Sequence, residues 1–317
     1  MTAETRAFLG RYGTALAALG VFAFFAATAT NFLTFGNLIG IAKHISYIAI
    51  LGIGFSMALI AAELDLSFAN VASLAAVTTG TLVHQGTTPE LAILAGLAIG
   101  AGFGVANGLI VTLLKIPSLI ATLAVAAIAN GFAFMLTDGV SVVGRWPARF
   151  TDLGRGTLLG LPALVWWTVG VALVAVLFLK QTRTGFRLLC TGESLNAAKL
   201  AGLPVRRLKV LGLALSGAAA GLVAVLLTAS LSSAAPNMAG DFLLTAIAAV
   251  MLGMTMFESG HPNIAGTLVG ALTIGMLGNG LVLLGAPYYV QDIFLGIIII
   301  GSVAVSASVL SRAAFEV

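Results

Sequence analysis

The sequence is poor in charged residues. Of its 317 residues, 8% are Asp, Glu, Lys or Arg, whereas 60% are apolar. A soluble domain carries roughly 25% charged residues because its surface must stay hydrated. The single cysteine, Cys190, excludes an internal disulfide framework and any multi-cysteine metal site. The composition therefore excludes an ordinary soluble protein and a disulfide-stapled one.

Motifs for catalysis and metal binding are also missing. There is no G-x-x-x-x-G-K-[ST] phosphate loop, no H-E-x-x-H and no recognisable serine–histidine arrangement. The three histidines, His44, His84 and His261, lie far apart and form no ligand pattern. The pI near 9.5 comes from basic residues in loops, which membrane topology explains without a nucleic-acid partner. We therefore expect no enzyme, no metal site and no cofactor in this chain.

What the chain has in abundance is long apolar segments, with a mean hydropathy of +1.11. Segments long enough to span hydrocarbon recur from end to end. They cover residues 12–33, 46–62, 67–84, 91–114, 118–137, 161–180, 209–234, 242–256, 262–285 and 292–310. The pattern predicts an all-α polytopic membrane protein, a single domain over 1–317 with about ten transmembrane helices in the lipid bilayer. Ionisable residues deep within these spans are almost absent, which argues against a proton- or sodium-coupled carrier.

The orientation follows from the basic residues. The connection after the sixth span, residues 180–209, holds seven basic residues against one acid, Glu193. Such a loop should be cytoplasmic, and an even number of preceding spans then places both termini in the cytoplasm. The same loop, 181–208, divides the chain into two approximate halves, 12–180 and 209–310, which we expect to be pseudo-repeats.

Glycine repeats at every fourth position within the spans. Small residues at that spacing let helix backbones approach closely in lipid. The repeats are Gly96, Gly100 and Gly104; Gly217 and Gly221; and Gly266 and Gly270. We expect each to serve packing within one chain, with a dimer seam as the alternative.

Two polar breaks interrupt the apolar pattern, one in each half. Glu63 and Asp65 mark the first break, and Glu258 and Pro262 mark the second. Interrupted segments in both halves are typical of transport sites, because broken helices expose backbone groups to a polar cavity. The alternative makes both breaks ordinary cytoplasmic loops, with Asp65 or Ser67 capping the third span. For Asp65 we favour capping, whereas Glu63 has no such explanation.

The basic connection contains a predicted short helix. Ser194 is a good N-cap, Gly202 suits a left-handed C-terminal position and Pro204 prevents continuation, which predicts a helix over 195–201. A helix that short needs something to pack against. Its small apolar face comprises Ala197, Leu200 and Ala201, with Lys199 pointing elsewhere. This face suits insertion into a groove on a partner, with packing back on its own bundle as the alternative.

Five motifs resemble a known family. They are Leu64-Asp65-Leu66-Ser67, the proline-led Ile116-Pro117-Ser118-Leu119-Ile120-Ala121-Thr122-Leu123, the segment 192–203, the run 246–253, and Asn279-Gly280-Leu281. In this order they resemble the permease subunit of ribose-type ABC importers, which serve ribose, xylose, galactose, related sugars and the autoinducer-2 signal. The resemblance runs from about residue 36 to 306.

The resemblance implies an assembly and a mechanism. The partners would be a second permease chain (a copy or a paralogue), two cytoplasmic ATP-binding subunits that use ATP and Mg²⁺, and a periplasmic solute-binding protein. Closure of the ATPases would rock the permease halves in alternating access across the bacterial inner membrane. The ATPase-coupling residues would be Glu193, Ser194, Leu195, Asn196, Ala197, Ala198, Lys199, Leu200, Ala201 and Gly202.

The chain departs from the family at the two breaks. Ala62 and Glu63 stand where the family usually has paired glycines, and Asn130 where an arginine is common. Thr245 replaces an aspartate, and residues 254–262, Met-Thr-Met-Phe-Glu-Ser-Gly-His-Pro, stand where the family has a glycine-rich turn. These positions are the ones expected to touch cargo or to move, so the transporter type is better specified than the sugar.

Scattered polar residues are candidates for the substrate path. They are Glu63, Asp65, Ser67, Asn70, Thr122, Asn130, Thr255, Glu258 and Asn279. The alternative is that each hydrogen-bonds a neighbouring span.

The outer loop, 138–160, is a candidate docking surface for the binding protein. Arg145, Arg149 and Arg155 surround Trp146 there. Complementary charge would mainly raise the association rate and set the register. The alternative is a solvated loop.

Two rival functions remain. One is a permease of branched-chain amino acid or nucleoside importers, with the same architecture. The other is a secondary carrier or passive channel, whose transport would not depend on a partner ATPase.

Overall fold

The computed structural model describes the backbone of residues 3–256 and 260–315, and the side chains of residues 14–256 and 260–304. Within these residues the chain forms thirteen α-helices and four strands of two residues each. The helices are α1 (Ala3–Thr28), α2 (Phe35–Ile60), α3 (Phe68–His84), α4 (Pro89–Leu113), α5 (Ser118–Thr137), α6 (Ala148–Arg155), α7 (Ala163–Gln181), α8 (Arg183–Glu193), α9 (Leu195–Leu200), α10 (Val205–Leu231), α11 (Phe242–Gly253), α12 (Ile264–Leu283) and α13 (Tyr288–Phe315).

Each of the ten predicted apolar segments overlaps one helix, namely α1–α5, α7 or α10–α13. Six described helices, α2, α4, α5, α7, α10 and α12, are long and apolar enough by length and composition to cross a bilayer. The all-α, polytopic class is therefore confirmed. The predicted start of the second span was wrong, because α2 begins at Phe35 rather than residue 46. Lys43 and His44 lie inside this helix, since polar side chains lower the hydropathy without ending a helix.

The four strands were not predicted. β1 (Val142–Val143) pairs antiparallel with β4 (Ser233–Ala234), and β2 (Thr157–Leu158) pairs with β3 (Leu161–Pro162). β1 follows the C-terminal end of α5 and β4 follows that of α10. The pair therefore lies at one end of the bundle, whereas α9, which precedes α10, lies at the other.

The core of the bundle forms around α2 and α10. Every residue of α2 from Ser46 to Ile60 is buried. These residues pack with buried side chains of α3, α10, α11 and α12, including Phe68, Leu226, Met251 and Ile274. A helix that is apolar on all sides belongs in the interior, where other helices cover every face.

The glycine repeats bring helices into backbone contact. A Cβ atom at Gly100 of α4 would overlap the carbonyl oxygen of Gly217 in α10, and one at Gly270 of α12 would overlap that of Ala249 in α11. Gly266 and Gly253 approach each other in the same way. The prediction that these repeats serve packing within one chain is confirmed.

Candidate functional site

The first break is the buried connection between α2 and α3, residues 61–67. Ala62 adopts a left-handed conformation with φ of 59°, which turns the chain after α2. Glu63 is 3% exposed and Asp65 is fully buried. An ordinary solvated loop would leave these carboxylates in water. The break is therefore an interior feature of the bundle, which corrects the alternative of a plain cytoplasmic loop.

Glu63 is balanced by a cation from the second half of the chain. Its Oε1 lies 2.6 Å from Nζ of Lys209, in the first turns of α10. The side chains are 4% and 20% exposed, respectively. Burying a carboxylate costs much less free energy when a cation pairs with it. The pair therefore explains how Glu63 is tolerated and joins the first break to the end of the basic connection.

Asp65 closes the break with a local turn. Its Oδ1 accepts hydrogen bonds from the Ser67 amide (2.9 Å) and the Ser67 hydroxyl (2.6 Å). The Ser67 hydroxyl accepts in turn from Nδ2 of Asn107 in α4, at 2.7 Å. Ser67 is the residue before α3, and its side chain makes no capping hydrogen bond. Capping by the Ser67 side chain is thus wrong, whereas Asp65 accepts from the amide of the N-cap residue Ser67, in the turn that precedes the helix.

Two hydroxyls of α5 satisfy the backbone of the first break. Ser118 Oγ accepts from the Leu64 amide at 3.0 Å, and Thr122 Oγ1 accepts from the Leu66 amide at 3.1 Å. Thr122 also donates to the Ser118 carbonyl at 2.7 Å. One turn into α3, Asn70 Nδ2 donates to the Ala126 carbonyl of α5 at 3.2 Å. Asn70 therefore hydrogen-bonds a neighbouring helix, which is the alternative given for it, whereas Thr122 hydrogen-bonds the connection between α2 and α3.

The second break connects α11 to α12. Glu258 lies outside the described residues. Asn263, which the sequence analysis did not select, organises the described part. Its Oδ1 accepts from the Gly266 amide at 2.6 Å, and its Nδ2 lies within 3.3–3.4 Å of the carbonyls of Gly253, Met256 and His261. An Asn directly before an apolar helical run is an N-cap signal that could have identified it.

Two further contacts lie at the second break. His261 Nδ1 is 2.9 Å from Glu193 Oε1, with side chains 39% and 61% exposed. Thr255 Oγ1 lies 2.6 Å from Thr14 Oγ1 of α1 and donates to the Leu252 carbonyl at 2.7 Å. The His261–Glu193 contact joins this break to the last residue of α8, two residues before the predicted coupling helix.

The predicted short helix in the basic connection is confirmed as α9. Ser194 Oγ accepts from the Ala197 amide at 3.3 Å, and Gly202 has φ of +71°. α9 ends at Leu200, with Ala201 as the C-cap rather than a helical residue. The next residue, Gly202, takes the left-handed conformation that ends the helix, which only glycine adopts at no steric cost.

The two sides of α9 have different surroundings. Leu195 and Ala198 are buried against Ala62 and Val205. This side of α9 packs on the chain's own helices, which is the alternative predicted for the short helix. The other side, formed by Ala197, Leu200 and Ala201, is exposed, and Leu200 is 91% exposed. We call Ala197, Leu200 and Ala201 the outer face of α9.

The structure does not bring all path candidates together. Glu63, Asp65, Ser67 and Thr122 meet at the first break. Asn130 lies further along α5 and is partly exposed. Asn279 exchanges two hydrogen bonds with Asn37, at 3.0 and 2.9 Å. Since Asn37 is at the start of α2 and Asn279 near the end of α12, this pair lies at the ends of these helices away from the breaks.

The outer loop corrects one expectation. Trp146 is 9% exposed and packs edge-on against Phe150, so it belongs to a core cluster beneath α6 rather than to a docking surface. Arg145 and Arg149 are exposed. Arg155 donates from Nε to the Ser230 carbonyl at 2.7 Å. A tryptophan next to arginines looked accessible in sequence, but its large apolar ring is buried where α6 covers α10.

Residues 37–303 match the family described as the permease component of branched-chain amino acid transport systems. The chain is 34% identical over 305 residues to the ribose import permease protein RbsC of Escherichia coli (strain K12), covering 95% of both chains. It is 31% identical over 288 residues to the L-arabinose ABC transporter permease protein AraH of Azospirillum brasilense, covering 91% of this chain and 85% of that one.

A third relative is the ribose import permease protein RbsC of Bacillus subtilis (strain 168), 34% identical over 265 residues, which are 83% of this chain and 82% of the relative. No solved structure matches the chain. The family match and these relatives cover the described helix breaks and α9. The chain is a multi-pass membrane protein that belongs to the permease family of binding-protein-dependent transport systems.

Proposed function

We propose that the chain is the permease subunit of an ATP-driven importer that moves a sugar across the inner membrane into the cytoplasm. The similarity to a ribose permease over 95% of both chains carries this proposal. A second relative is named for L-arabinose, which is also a five-carbon sugar. The family description names branched-chain amino acids instead, so these are the alternative cargo. The chain itself is a transport subunit without enzymatic activity.

In the membrane, we propose that ten helices cross the bilayer: α1–α5, α7 and α10–α13. Both termini would be cytoplasmic, and the halves 12–180 and 209–310 would be joined by the coupling segment 181–208. Seven basic residues in and beside that segment support this orientation, since cytoplasmic loops carry an excess of Lys and Arg. Both breaks and α9 would then lie at the cytoplasmic end of the bundle.

The assembly would contain two permease chains, two ATP-binding subunits and a periplasmic solute-binding protein. The outer face of α9 supports a contact with the ATP-binding subunit, because Leu200 is 91% exposed at the end proposed to be cytoplasmic. An apolar helix face of this kind suits a groove on a partner. The partner would bind ATP and Mg²⁺, and this chain would bind neither. Exposed Arg145 and Arg149 would meet the binding protein at the other end.

Movement of α9 would reach both breaks. Its inner side packs on Ala62 of the first break, and Lys209 just beyond it pairs with Glu63. On its other flank, Glu193 contacts His261 of the second break. An ATPase that displaces α9 would therefore pull on both breaks at once. The rocking of the two halves in alternating access would follow from these connections.

The contacts separate the path candidates into residues that hold the first break and a residue without a hydrogen bond in the described part of the chain. Asp65, Ser67 and Thr122 hold the shape of the first break through hydrogen bonds to the chain itself. Asn130 is partly exposed and makes no hydrogen bond to a described residue, so it stays a candidate for contact with cargo.

Uptake measurements test the cargo. Cells that lack this chain would be supplied with radiolabelled ribose, L-arabinose or leucine, with and without the chain restored on a plasmid. We expect restored uptake of at least one pentose and no change for leucine. Restored leucine uptake alone would establish the amino acid alternative. No chain-dependent uptake of any of the three would contradict both.

The variant Ala197→Glu tests the outer face of α9. Glu at this position forms a Ser-x-x-Glu capping box with Ser194, so α9 should be kept or slightly strengthened. A charge on a face that docks into a partner should nevertheless uncouple ATP hydrolysis from uptake, as should a bulky charge at Ala201. The matched control is Thr184→Glu, an exposed position on α8. We expect uptake to fall about tenfold or more for Ala197→Glu and to stay within twofold for the control. Normal coupling in Ala197→Glu would rule out this contact.

A further inference from the structure

A cavity of about 1020 Å³ lies beside α9. Four parts of the chain line it: the first break (Ala62 and Glu63), the end of α4 with the connection to α5 (Val111, Thr112 and 115–118), α9 with the residues after it (Leu195, Asn196, Lys199, Leu203 and Pro204), and the start of α10. Successive residues of a helix differ by 100° in direction, so Leu195 and Lys199 project on the side opposite the outer face. A ligand in the cavity and a protein on the outer face would therefore occupy different sides of α9.

The lining is strongly basic. It includes five cations and one carboxylate, a formal charge of +4, which equals the net charge of +4 for the whole chain. The cations are Lys115, Lys199, Arg206, Arg207 and Lys209. Lys209 is neutralised by Glu63 at the floor of the cavity. Across the part of the chain that the structure describes, the other four cations make no ion pair.

Membrane topology alone does not produce this arrangement. A cytoplasmic loop needs an excess of Lys and Arg, but the rule says nothing about where their side chains converge. Arg183 and Arg187 belong to the same basic connection and do not line the cavity. Lys115 comes from a different connection and does line it. A concave site walled by one sign of charge concentrates field lines and favours ligands of the opposite sign.

We propose that this cavity binds a phosphate-bearing ligand, either a small phosphorylated metabolite or the headgroup of an anionic phospholipid. Arginine and lysine are the residues that recognise phosphate, and Arg206 and Arg207 supply two planar guanidinium groups. Small-molecule sites occupy about 300–1,000 Å³, so the cavity has room for a sugar or glycerol unit as well as the phosphate. Because Lys199 and Asn196 belong to α9, an occupant would hold α9 against the α4–α5 connection. The proposal depends on the cavity and not on which solute the chain transports.

Binding to the full-length chain tests the proposal in two arms. In the first, glucose 6-phosphate is titrated into detergent-purified protein by calorimetry, with glucose as the uncharged control. In the second, native mass spectrometry counts phosphatidylglycerol and phosphatidylcholine retained by protein from mixed nanodiscs. Saturable binding of glucose 6-phosphate identifies a soluble ligand. Selective retention of phosphatidylglycerol identifies a lipid headgroup.

Variants place the binding in the cavity. The double variant R206Q/R207Q should weaken whichever ligand binds by about tenfold or more, since each charge-assisted hydrogen bond contributes about that factor. The matched double variant R183Q/R187Q removes the same charge from the same connection and should stay within twofold. If R206Q/R207Q does not fold, K115Q from the opposite wall gives the same readout. Absence of binding in both arms overturns the proposal, as does equal weakening by the two double variants. Uptake of labelled sugar is a separate measurement, so failure here leaves the proposed transport function unaffected.

Discussion

The two helix breaks are held in different ways. The first is buried, carries two carboxylates, and draws partners from α4, α5 and α10. The second, in its described residues, is organised by the neutral amide of Asn263 and by the exposed His261–Glu193 contact. Breaking a buried ion pair leaves a charge without its partner and is costly, whereas an exposed pair is screened by water and contributes little. The first break should therefore move only together with its partner helices, and the second is connected to α9 by a weaker link.

Loss of Lys209 should have the largest effect. The variant Lys209→Met leaves Glu63 buried without its cation, which destabilises a protein by about 3–5 kcal/mol. The corresponding change at the second break, His261→Gln, should alter the free energy of unfolding by less than about 1 kcal/mol, because that pair is exposed. Unfolding of the purified variants in mixed detergent and SDS micelles measures both.

The double variant E63Q/K209M serves as the control for this experiment. It removes both charges, so it should recover most of the stability that Lys209→Met loses. Equal destabilisation by Lys209→Met and His261→Gln would show that burial does not separate the two breaks.

Asp65→Ala should have the next largest effect. It removes the acceptor for the Ser67 amide and hydroxyl, leaving two buried donors without their present partner. We expect a loss of about 1–3 kcal/mol in the free energy of unfolding and impaired uptake or assembly. Asp65→Asn keeps an acceptor oxygen and should be milder. Wild-type uptake by Asp65→Ala at normal expression would refute the role given to this residue.

Asn263 sharpens the comparison at the second break. Asn263→Ala removes the N-cap of α12 and should cost about 0.5–2 kcal/mol. Asn263→Ser keeps a capping oxygen for the α12 amides but loses the donors to the three carbonyls. These donor contacts are long, at 3.3–3.4 Å, so we expect Asn263→Ser to retain most of the stability. If Asn263→Ser is as damaging as Asn263→Ala, the carbonyl contacts rather than the cap hold the break.

The sequence predicts local features of this molecule well. The apolar segments each lead to a helix, and Ser194 with Gly202 leads to α9, because lipid and capping impose rules that operate over a few residues. The Gly96–Gly100–Gly104 repeat likewise predicts close packing, although it does not identify α10 as the partner.

Long-range partners could not be predicted in the same way. Lys209 is 146 positions from Glu63 in the numbering, and no local pattern joins the two. Asn107 is one polar residue in an apolar span, and only the fold shows that it donates to Ser67. Trp146 was misjudged because its sequence neighbours are arginines, whereas its spatial neighbour is Phe150. The left-handed conformation of Ala62 was not predicted either, although the glycine that the permease family usually has at this position could have indicated it.

Ala62 gives the smallest expected effect. Its φ of 59° is a conformation that costs a residue other than glycine about 1–2 kcal/mol, so Ala62→Gly relieves this strain. The same change removes a methyl group that packs on Leu195 and Ala198 of α9, and its burial contributes about 0.8 kcal/mol. Glycine also stabilises the unfolded chain by about 0.4–1 kcal/mol, because it has more accessible backbone conformations than alanine. These terms nearly cancel, so the free energy of unfolding should change by less than about 1 kcal/mol.

Ala61→Gly is the matched control, since Ala61 is buried next to it with an ordinary φ of −81° and has no strain to relieve. It should be more destabilising than Ala62→Gly by about 1–2 kcal/mol. Equal losses in the two variants would mean that Ala62 is not strained.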